Sequence, residues 1–311
     1  MIFLKGNVKS QKFIEYSMKK LLFTGVATAI VTPFDKSGEI DFSSLGKIIK
    51  YNLDGGVSAI VVCGTTGEAS TLDYEERKRV IKFTVDTIGG AVPVIAGVGS
   101  NNFASTVKMI DETSPLGVDG FLIVTPYYNK TTQEGLEKIF TEYCKRTTLP
   151  IIAYNVPSRT GIGFAPQTYE KLQTVENLIG VKEASSDISH LAHSVSLCPR
   201  LTFYSGNDDL ILPALSLGAR GVISVLSNIL PEQTQKLCAD YFKGNVQSAR
   251  EIQLKYFSLI KALFCQVNPI PVKYALSRMG LCQNRLRLPL LPLCEQKMAE
   301  MDIELKKAGL I

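Results

Sequence analysis

The chain has 311 residues, 45% of them hydrophobic and 20% charged, the balance of an ordinary globular protein with ample core. Every apolar run is broken by Gly, Pro or a charge within about 18 residues, which excludes a membrane-spanning helix. The formal charge of +5 is dispersed: Arg77-Lys78-Arg79 follows directly on Glu75-Glu76, a solvated helix face and not a nucleic-acid patch, while a mildly electropositive site for anionic substrates stays compatible with it.

Residues 1–17 read as a dispensable tail, with Met18 as an alternative start. The stretch Met18-Lys19-Lys20-Leu21 through Ala27-Thr28-Ala29 imitates a signal peptide, but its removal would delete the first strand of the pattern that follows. Short β-rich apolar runs then alternate with helix-period segments, as in βα units around a parallel sheet. Eight runs fit: 24–31, 57–63, 92–98, 120–125, 150–155, 178–183, 201–205 and 221–226. Between them, helices are expected to start at Asp41 before Phe42–Leu53, at Asn101 before Phe103–Ile110, and at a capping box Thr131-x-x-Glu134. Beyond Val225 the pattern turns helical, over 231–243, 246–265, 271–280 and 292–308. The expected architecture is an α/β (β/α)8 TIM barrel over 18–243 with a C-terminal helical appendage over 244–311. An open doubly wound sheet is the alternative, but no G-x-G-x-x-G follows the first run. Seven cysteines with no C-x-x-C spacing read as reduced thiols, hence a cytoplasmic protein.

Polar residues collect where a barrel places its chemistry, just after the C-terminal ends of strands. Gly64-Thr65-Thr66-Gly67-Glu68 follows the second run, Thr125-Pro126-Tyr127-Tyr128-Asn129 the fourth, and Tyr154-Asn155-Val156-Pro157-Ser158-Arg159 ends the fifth. Ser205-Gly206-Asn207-Asp208 follows the seventh, and the eighth contains Gly221-Val222-Ile223-Ser224. The sixth run, Leu178-Ile179-Gly180-Val181-Lys182-Glu183, carries one amine among apolar residues. Burial disfavours an ammonium, so such a lysine is either a nucleophile for Schiff-base chemistry or a side chain that snorkels out at a strand end. The Gly-Thr-Thr-Gly turn offers N–H groups and hydroxyls for a carboxylate, the Tyr154 phenol can relay protons, and Arg159 offers a fork for a second carboxylate. Singly, each has a plain structural reading as a loop, a packed aromatic or a surface ion pair. Jointly they describe a lysine aldolase for α-keto acids. His190 and His193 lie three apart on a helix, without a third ligand or H-E-x-x-H spacing, so no metal site is expected.

GTTGE at 64–68, TPYYN at 125–129, YNVPSRTG at 154–161, GVKEAS at 180–185, GVISV at 221–225 and NPIPVK at 268–273 together resemble the dihydrodipicolinate synthase family, over about residues 23 to 311. The resemblance implies that Lys182 forms a Schiff base with pyruvate, Thr65 and Thr66 bind its carboxylate, and Tyr154 acts as acid and base. Thr66 and Tyr128 complete a proton relay, Tyr128 being donated across a tight dimer while Tyr127 stacks at the interface. Arg159 receives the carboxylate of L-aspartate 4-semialdehyde, Gly206 presents backbone to pyruvate, and Ile223 lines the pocket. It further implies a homotetramer of two tight dimers, no cofactor, no catalytic metal, and the first committed step of diaminopimelate and lysine biosynthesis. Asn207 departs from relatives that carry an acid there. Positions matching the family's lysine-effector site are Ala69, Ser70, Tyr74, Arg77, Asn101, Ser105 and Tyr127. Arg77 stands where sensitive relatives have a histidine and Ser105 where they have a glutamate, so weak or absent inhibition by lysine is expected. Another pyruvate aldolase, such as an N-acetylneuraminate lyase, would share Lys182, Tyr154 and the turn. Arg159 favours a short second substrate bearing a carboxylate. A non-catalytic barrel sensing a keto acid is the third reading.

Overall fold

The computed structural model describes residue 19 and residues 21–311. The expected tail at 1–17 and the alternative start at Met18 lie outside the described residues. Eight parallel strands, β1 (Gly25–Ala29), β2 (Ala59–Val62), β3 (Val94–Gly97), β4 (Gly120–Val124), β5 (Ile151–Asn155), β6 (Leu178–Glu183), β7 (Thr202–Ser205) and β8 (Gly221–Ser224), pair in sequence order and close on themselves as β8 meets β1. All eight expected runs contain a strand, each at or within the expected span, because strands covered on both faces read as apolar runs.

Around this barrel lie α1 (Phe42–Asp54), α2 (Tyr74–Ile88), α3 (Phe103–Thr113), α4 (Gln133–Lys145), α5 (Pro157–Thr160), α6 (Pro166–Leu172), α7 (Ile188–Leu197), α8 (Ile211–Ser216) and α9 (Pro231–Phe242). Four more follow: α10 (Val246–Lys255), α11 (Phe257–Leu263), α12 (Ile270–Arg278) and α13 (Glu295–Lys307). Asp41 caps α1 as expected, its carboxylate accepting from the Ser44 N–H. The caps of α3 and α4 fall one residue later than expected, at Asn102, which accepts from Ser105 N–H, and at Thr132, which accepts from Gly135 N–H. In each case two neighbouring residues of the same type compete, and the backbone selects the one in extended conformation directly before the first helical residue. A reciprocal capping box does form, between Asp73 and Glu76 at the start of α2. The expected single helix over 246–265 breaks at Tyr256 into α10 and α11. Among the described residues, no helix is long and apolar enough to cross a membrane.

Two apolar layers result. Ala27, Ala29, Val61, Ile95, Leu122, Ile152, Tyr154, Ile179, Tyr204 and Ile223 pack inside the barrel, and the alternate strand positions pack against the helices. Along β6, strict alternation fails once. The pairing with β5 slips between Ile151 and Ile152, so that Leu178 faces the helices, Ile179 the interior, and Val181 the helices again. Gly180 occupies the slip, where a Cβ would meet the Thr202 carbonyl oxygen at 2.5 Å. The slip sets the phase in which Lys182 turns inward beside Tyr154, its lateral partner on β5. At the opposite end of β6, the buried Lys19 amine donates to the Leu178 carbonyl at 2.8 Å and to Val175, and burial brings its pKa down to about 8.

Candidate active site

Lys182 is 6% exposed, and its Nζ lies 4.3 Å from the centroid of the Tyr154 ring. Among the described residues the amine has no hydrogen-bond or ion-pair partner, so the favourable contact available to a charge there is the π face of the phenol. Gly206 covers the lysine stem from β7: a Cβ on it would sit 3.1 Å from Lys182 Cε and 2.6 Å from Ala184 Cβ. Its own N–H donates to the Glu183 carbonyl at 2.7 Å. Ile223 is fully buried in the inner layer.

The turn after β2 closes through Gly67 N–H to Gly64 O at 3.1 Å and Glu68 N–H to Thr65 O at 3.1 Å. The N–H groups of Thr65 and Thr66 have no protein acceptor among the described residues, so both are open to water or to a ligand. The Thr66 hydroxyl is buried and accepts from Asn268 Nδ2 at 2.9 Å. Arg159, on the short helix α5 that directly follows β5, donates from Nη2 to the Asn268 carbonyl at 3.3 Å and is otherwise exposed. A cavity of about 270 Å³ is lined by Thr65 and Arg159 together with Tyr154, Val156, Ser70, Arg77, Gly97 and Tyr127. Lys182 does not line that cavity; the Tyr154 ring is the contact between the two.

The structure therefore gathers Lys182, Tyr154, Thr65, Thr66, Arg159, Gly206 and Ile223 at one end of the barrel. Tyr128 stands apart. It is 91% exposed and holds a left-handed backbone conformation, φ +70°, at the tip of the loop after β4. That conformation is costly for a residue with a side chain and throws the ring away from its own barrel. His190 and His193 do not act together: His190 Nε2 lies 3.4 Å from Glu183 Oε2, while His193 faces solvent. All seven cysteines are free.

Several groups that hold the site escaped the sequence reading. Behind β6, Glu183 accepts from both Asn155 Nδ2 and Tyr169 Oη, tying β5 to β6 next to Lys182. Asp208, wholly buried, accepts from Ser224 Oγ and from the Val225 and Leu226 N–H groups, so it fixes the loop after β8; burial pushes its carboxyl up against the pull of those hydrogen bonds. Asn207, where a charge was noted as missing, donates to Ser186 Oγ instead. Glu68 follows the Gly-Thr-Thr-Gly turn in left-handed conformation, φ +51°, and pairs with Lys273 of α12 at 2.5 Å, both side chains being fully buried. Such pairs carry no local sequence signal, since each partner reads as an ordinary surface charge until the chain is folded.

The model of the dihydrodipicolinate synthetase family matches residues 22–308. The chain is 48% identical to the 4-hydroxy-tetrahydrodipicolinate synthase of Thermotoga neapolitana, over 93% of this chain and 100% of that one. It is 47% identical to the enzyme of the same name from Alkaliphilus oremlandii, again over 93% and 100%. The crystal structure of dihydrodipicolinate synthase from Thermotoga maritima superposes with a TM-score of 0.92 at 44% identity, over 94% of this chain and 100% of that one.

Proposed function

Because the chain belongs to the dihydrodipicolinate synthetase family, we propose that it condenses pyruvate with L-aspartate 4-semialdehyde to 4-hydroxy-tetrahydrodipicolinate, the entry step to diaminopimelate and lysine. The observation that carries this reading is the lateral pairing of Lys182 and Tyr154 on adjacent strands, an unpartnered amine 4.3 Å from a phenol ring beside a turn with free N–H groups.

In this reading the pyruvate carboxylate docks on the Thr65 and Thr66 N–H groups. Lys182 Nζ attacks C2, the C2 oxygen leaves as water after taking protons, and an iminium remains. Loss of a proton from C3 gives the enamine, which forms a carbon–carbon bond to the aldehyde carbon of the second substrate. That substrate's own amine then attacks C2 and expels Lys182, closing the ring; one water is lost overall. Tyr154 holds and returns the protons, with Thr66 and Tyr128 as its relay. Arg159, half tied to the Asn268 carbonyl, keeps guanidinium donors for the semialdehyde carboxylate. Gly206 presents backbone and Ile223 an apolar wall to pyruvate. No cofactor enters this scheme.

Tyr128 reaches a relay only in the site of a second copy, and its exposure and strained backbone support a tight dimer in which each chain lends this residue; two such dimers make the proposed homotetramer. We place residues 18–243 in the catalytic unit, 244–311 in the helical appendage, and the protein in the cytoplasm. Free lysine is a weak inhibitor or none. Borohydride reduction in the presence of pyruvate tests the scheme: added mass on the peptide holding Lys182, with loss of turnover, is expected. Label on another lysine, or no turnover with the two substrates, removes it.

A further inference from the structure

Among the described residues, no Asp or Glu lines the cavity beside Tyr154, yet two arginines do, Arg77 and Arg159. Each is tied to a backbone carbonyl and not to a carboxylate: Arg159 Nη2 to Asn268 at 3.3 Å, and Arg77 Nη2 to Gly97 at 2.8 Å. The proposed chemistry gives Arg159 a carboxylate to hold. It gives Arg77 none. Apart from the bond to Gly97, the Arg77 guanidinium makes no hydrogen bond among the described residues, and its Nε is buried without a partner. A guanidinium cannot shed its charge, so this head group brings a permanent, unneutralised cation to the cavity wall.

The acids beside Arg77 in sequence do not offset it. Glu75 pairs with Lys78 at 3.0 Å, and Glu76 is clasped by Arg287 through two contacts of 2.6 Å. Two hydroxyls of the same cavity are open to a ligand. Ser70 is exposed and its Oγ has no partner among the described residues, while Ser100 Oγ accepts from the Asn102 N–H at 3.2 Å and keeps its own proton to donate. A fixed cation with hydroxyl donors and no acid is complementary to an anion. The planar fork matches a carboxylate in charge and shape, whereas a phosphate dianion brings more charge and more acceptors than these donors meet. Ala69, Leu122 and Val124 supply apolar wall for a short carbon chain.

We propose that Arg77, with Ser70 and Ser100, forms a second anion site in this cavity, which takes the carboxylate of a small organic acid other than the two substrates. The site rests on the charge of the cavity and needs no role for Lys182 or Tyr154, so it goes beyond the proposed reaction and is tested by binding alone.

The test is equilibrium dialysis of radiolabelled propionate against the full-length protein at low ionic strength, with no substrate present. Saturable binding of one propionate per chain is expected. Arg77→Met is expected to weaken it by at least about 10-fold, the scale of a charge-assisted pair, and Arg159→Ala by less than about 3-fold. Sodium chloride at the same ionic strength is expected to displace less propionate than unlabelled propionate does. No binding to the parent protein overturns the proposal, including the case in which a carboxylate of a second copy already holds Arg77. Equal losses in the two variants, or displacement by chloride as complete as by propionate, reduce the effect to the general charge of the cavity and also overturn it. Tighter binding of inorganic phosphate than of propionate overturns the carboxylate assignment. Should Arg77→Met fail to fold, Arg77→Lys keeps the charge and removes the planar fork, and a loss of about 10-fold is again expected; full binding by that variant counts against a site built on the fork.

Discussion

Lys273 and Lys182 are both buried, and their surroundings are opposite. Lys273, fully buried on α12, has Glu68 at 2.5 Å and the Phe34 ring at 4.1 Å from its amine, and burial holds its pKa below the usual lysine range even with that carboxylate alongside. Lys182, 6% exposed on β6, has an aromatic face and, among the described residues, no carboxylate in direct contact, the buried Asp208 being the acid that feels its charge. A buried charge with a partner is an anchor, because breaking the pair strands the other charge. A buried amine without one has no such structural tie and is left to contact a ligand. The difference separates the lysine that holds the site from the lysine proposed to react in it.

Removing each amine while keeping its stem sharpens the contrast. Lys182→Met is expected to reduce turnover by more than about 1000-fold and to abolish borohydride labelling with pyruvate, while the thermal midpoint stays within about 2–4 °C. Lys273→Met leaves the Glu68 carboxylate buried and alone, at a cost of about 3–5 kcal/mol in denaturant unfolding. Adding Glu68→Gln, which keeps an acceptor for the Arg287 N–H, is expected to recover most of that loss. A Lys182→Met protein that unfolds, or a Lys273→Met protein as stable as the parent, breaks the comparison.

The buried lysine of β6 was legible in the sequence and the anchoring one was not, for a physical reason. Leu178-Ile179-Gly180-Val181-Lys182 is a strand buried on both faces, where any charge is an anomaly visible locally. Ile270-Pro271-Val272-Lys273-Tyr274 opens an ordinary helix, where lysine is common, and its partner lies 205 residues away. The eight strands were readable for the same reason as Lys182. The slip that turns Lys182 inward was not, because it depends on how closely β6 approaches Thr202. Asn268 lay within a quoted motif, yet its contact with Thr66 spans 202 residues and leaves no local trace.

Arg159 falls between the two lysines: partly tied, to a carbonyl and not to a carboxylate, and open to the cavity. Arg159→Ala is expected to raise KM for the semialdehyde by about 10–100-fold, the loss of a charge-assisted pair, and to leave pyruvate trapping at Lys182 intact. Steady-state kinetics with each substrate varied in turn measure this. Unchanged semialdehyde kinetics would remove Arg159 from the site.

His190 is the titratable cation of the set. Its contact with Glu183 raises its pKa above 6.5, and Glu183 is lowered because the His190 contact and hydrogen bonds from Asn155 and Ser185 outweigh the upward push of burial. The histidine's contribution is therefore complete below about pH 6.5 and lost as pH rises through its folded value, whereas that of Glu183 is complete above about pH 4.5 and lost as pH falls through its own. The thermal midpoint is expected to drift down by about 1–2 °C from pH 6.5 to 8, a small change because partial exposure screens the pair. His190→Gln should flatten that drift; an unchanged slope assigns it to other groups.

The smallest expected effect is the response to free lysine, and it follows from the last unsatisfied cation. Arg77 projects into the same cavity, donates from Nη2 to the Gly97 carbonyl at 2.8 Å, and keeps a buried Nε with no partner. Two acids next to it in sequence could in principle have offset this charge. Both are occupied: Glu76 is clasped by Arg287 through two contacts of 2.6 Å, and Glu75 pairs with Lys78 at 3.0 Å. The Tyr74 ring beside them already faces the Lys108 and Lys78 amines, at 4.1 and 5.4 Å. Ser105, where a carboxylate would have received an ammonium, has its N–H committed to the cap of α3 and offers only a hydroxyl. A ligand with two ammonium groups therefore meets cations and finds no free carboxylate among these residues, a difference of about 1–3 kcal/mol at each of the two altered positions. Half-maximal inhibition is expected above about 1 mM lysine, an affinity weaker than roughly 4 kcal/mol. Inhibition below that concentration would mean that Arg77 leaves the cavity when lysine binds, and the contrast between paired and unpaired cations would fail at this site.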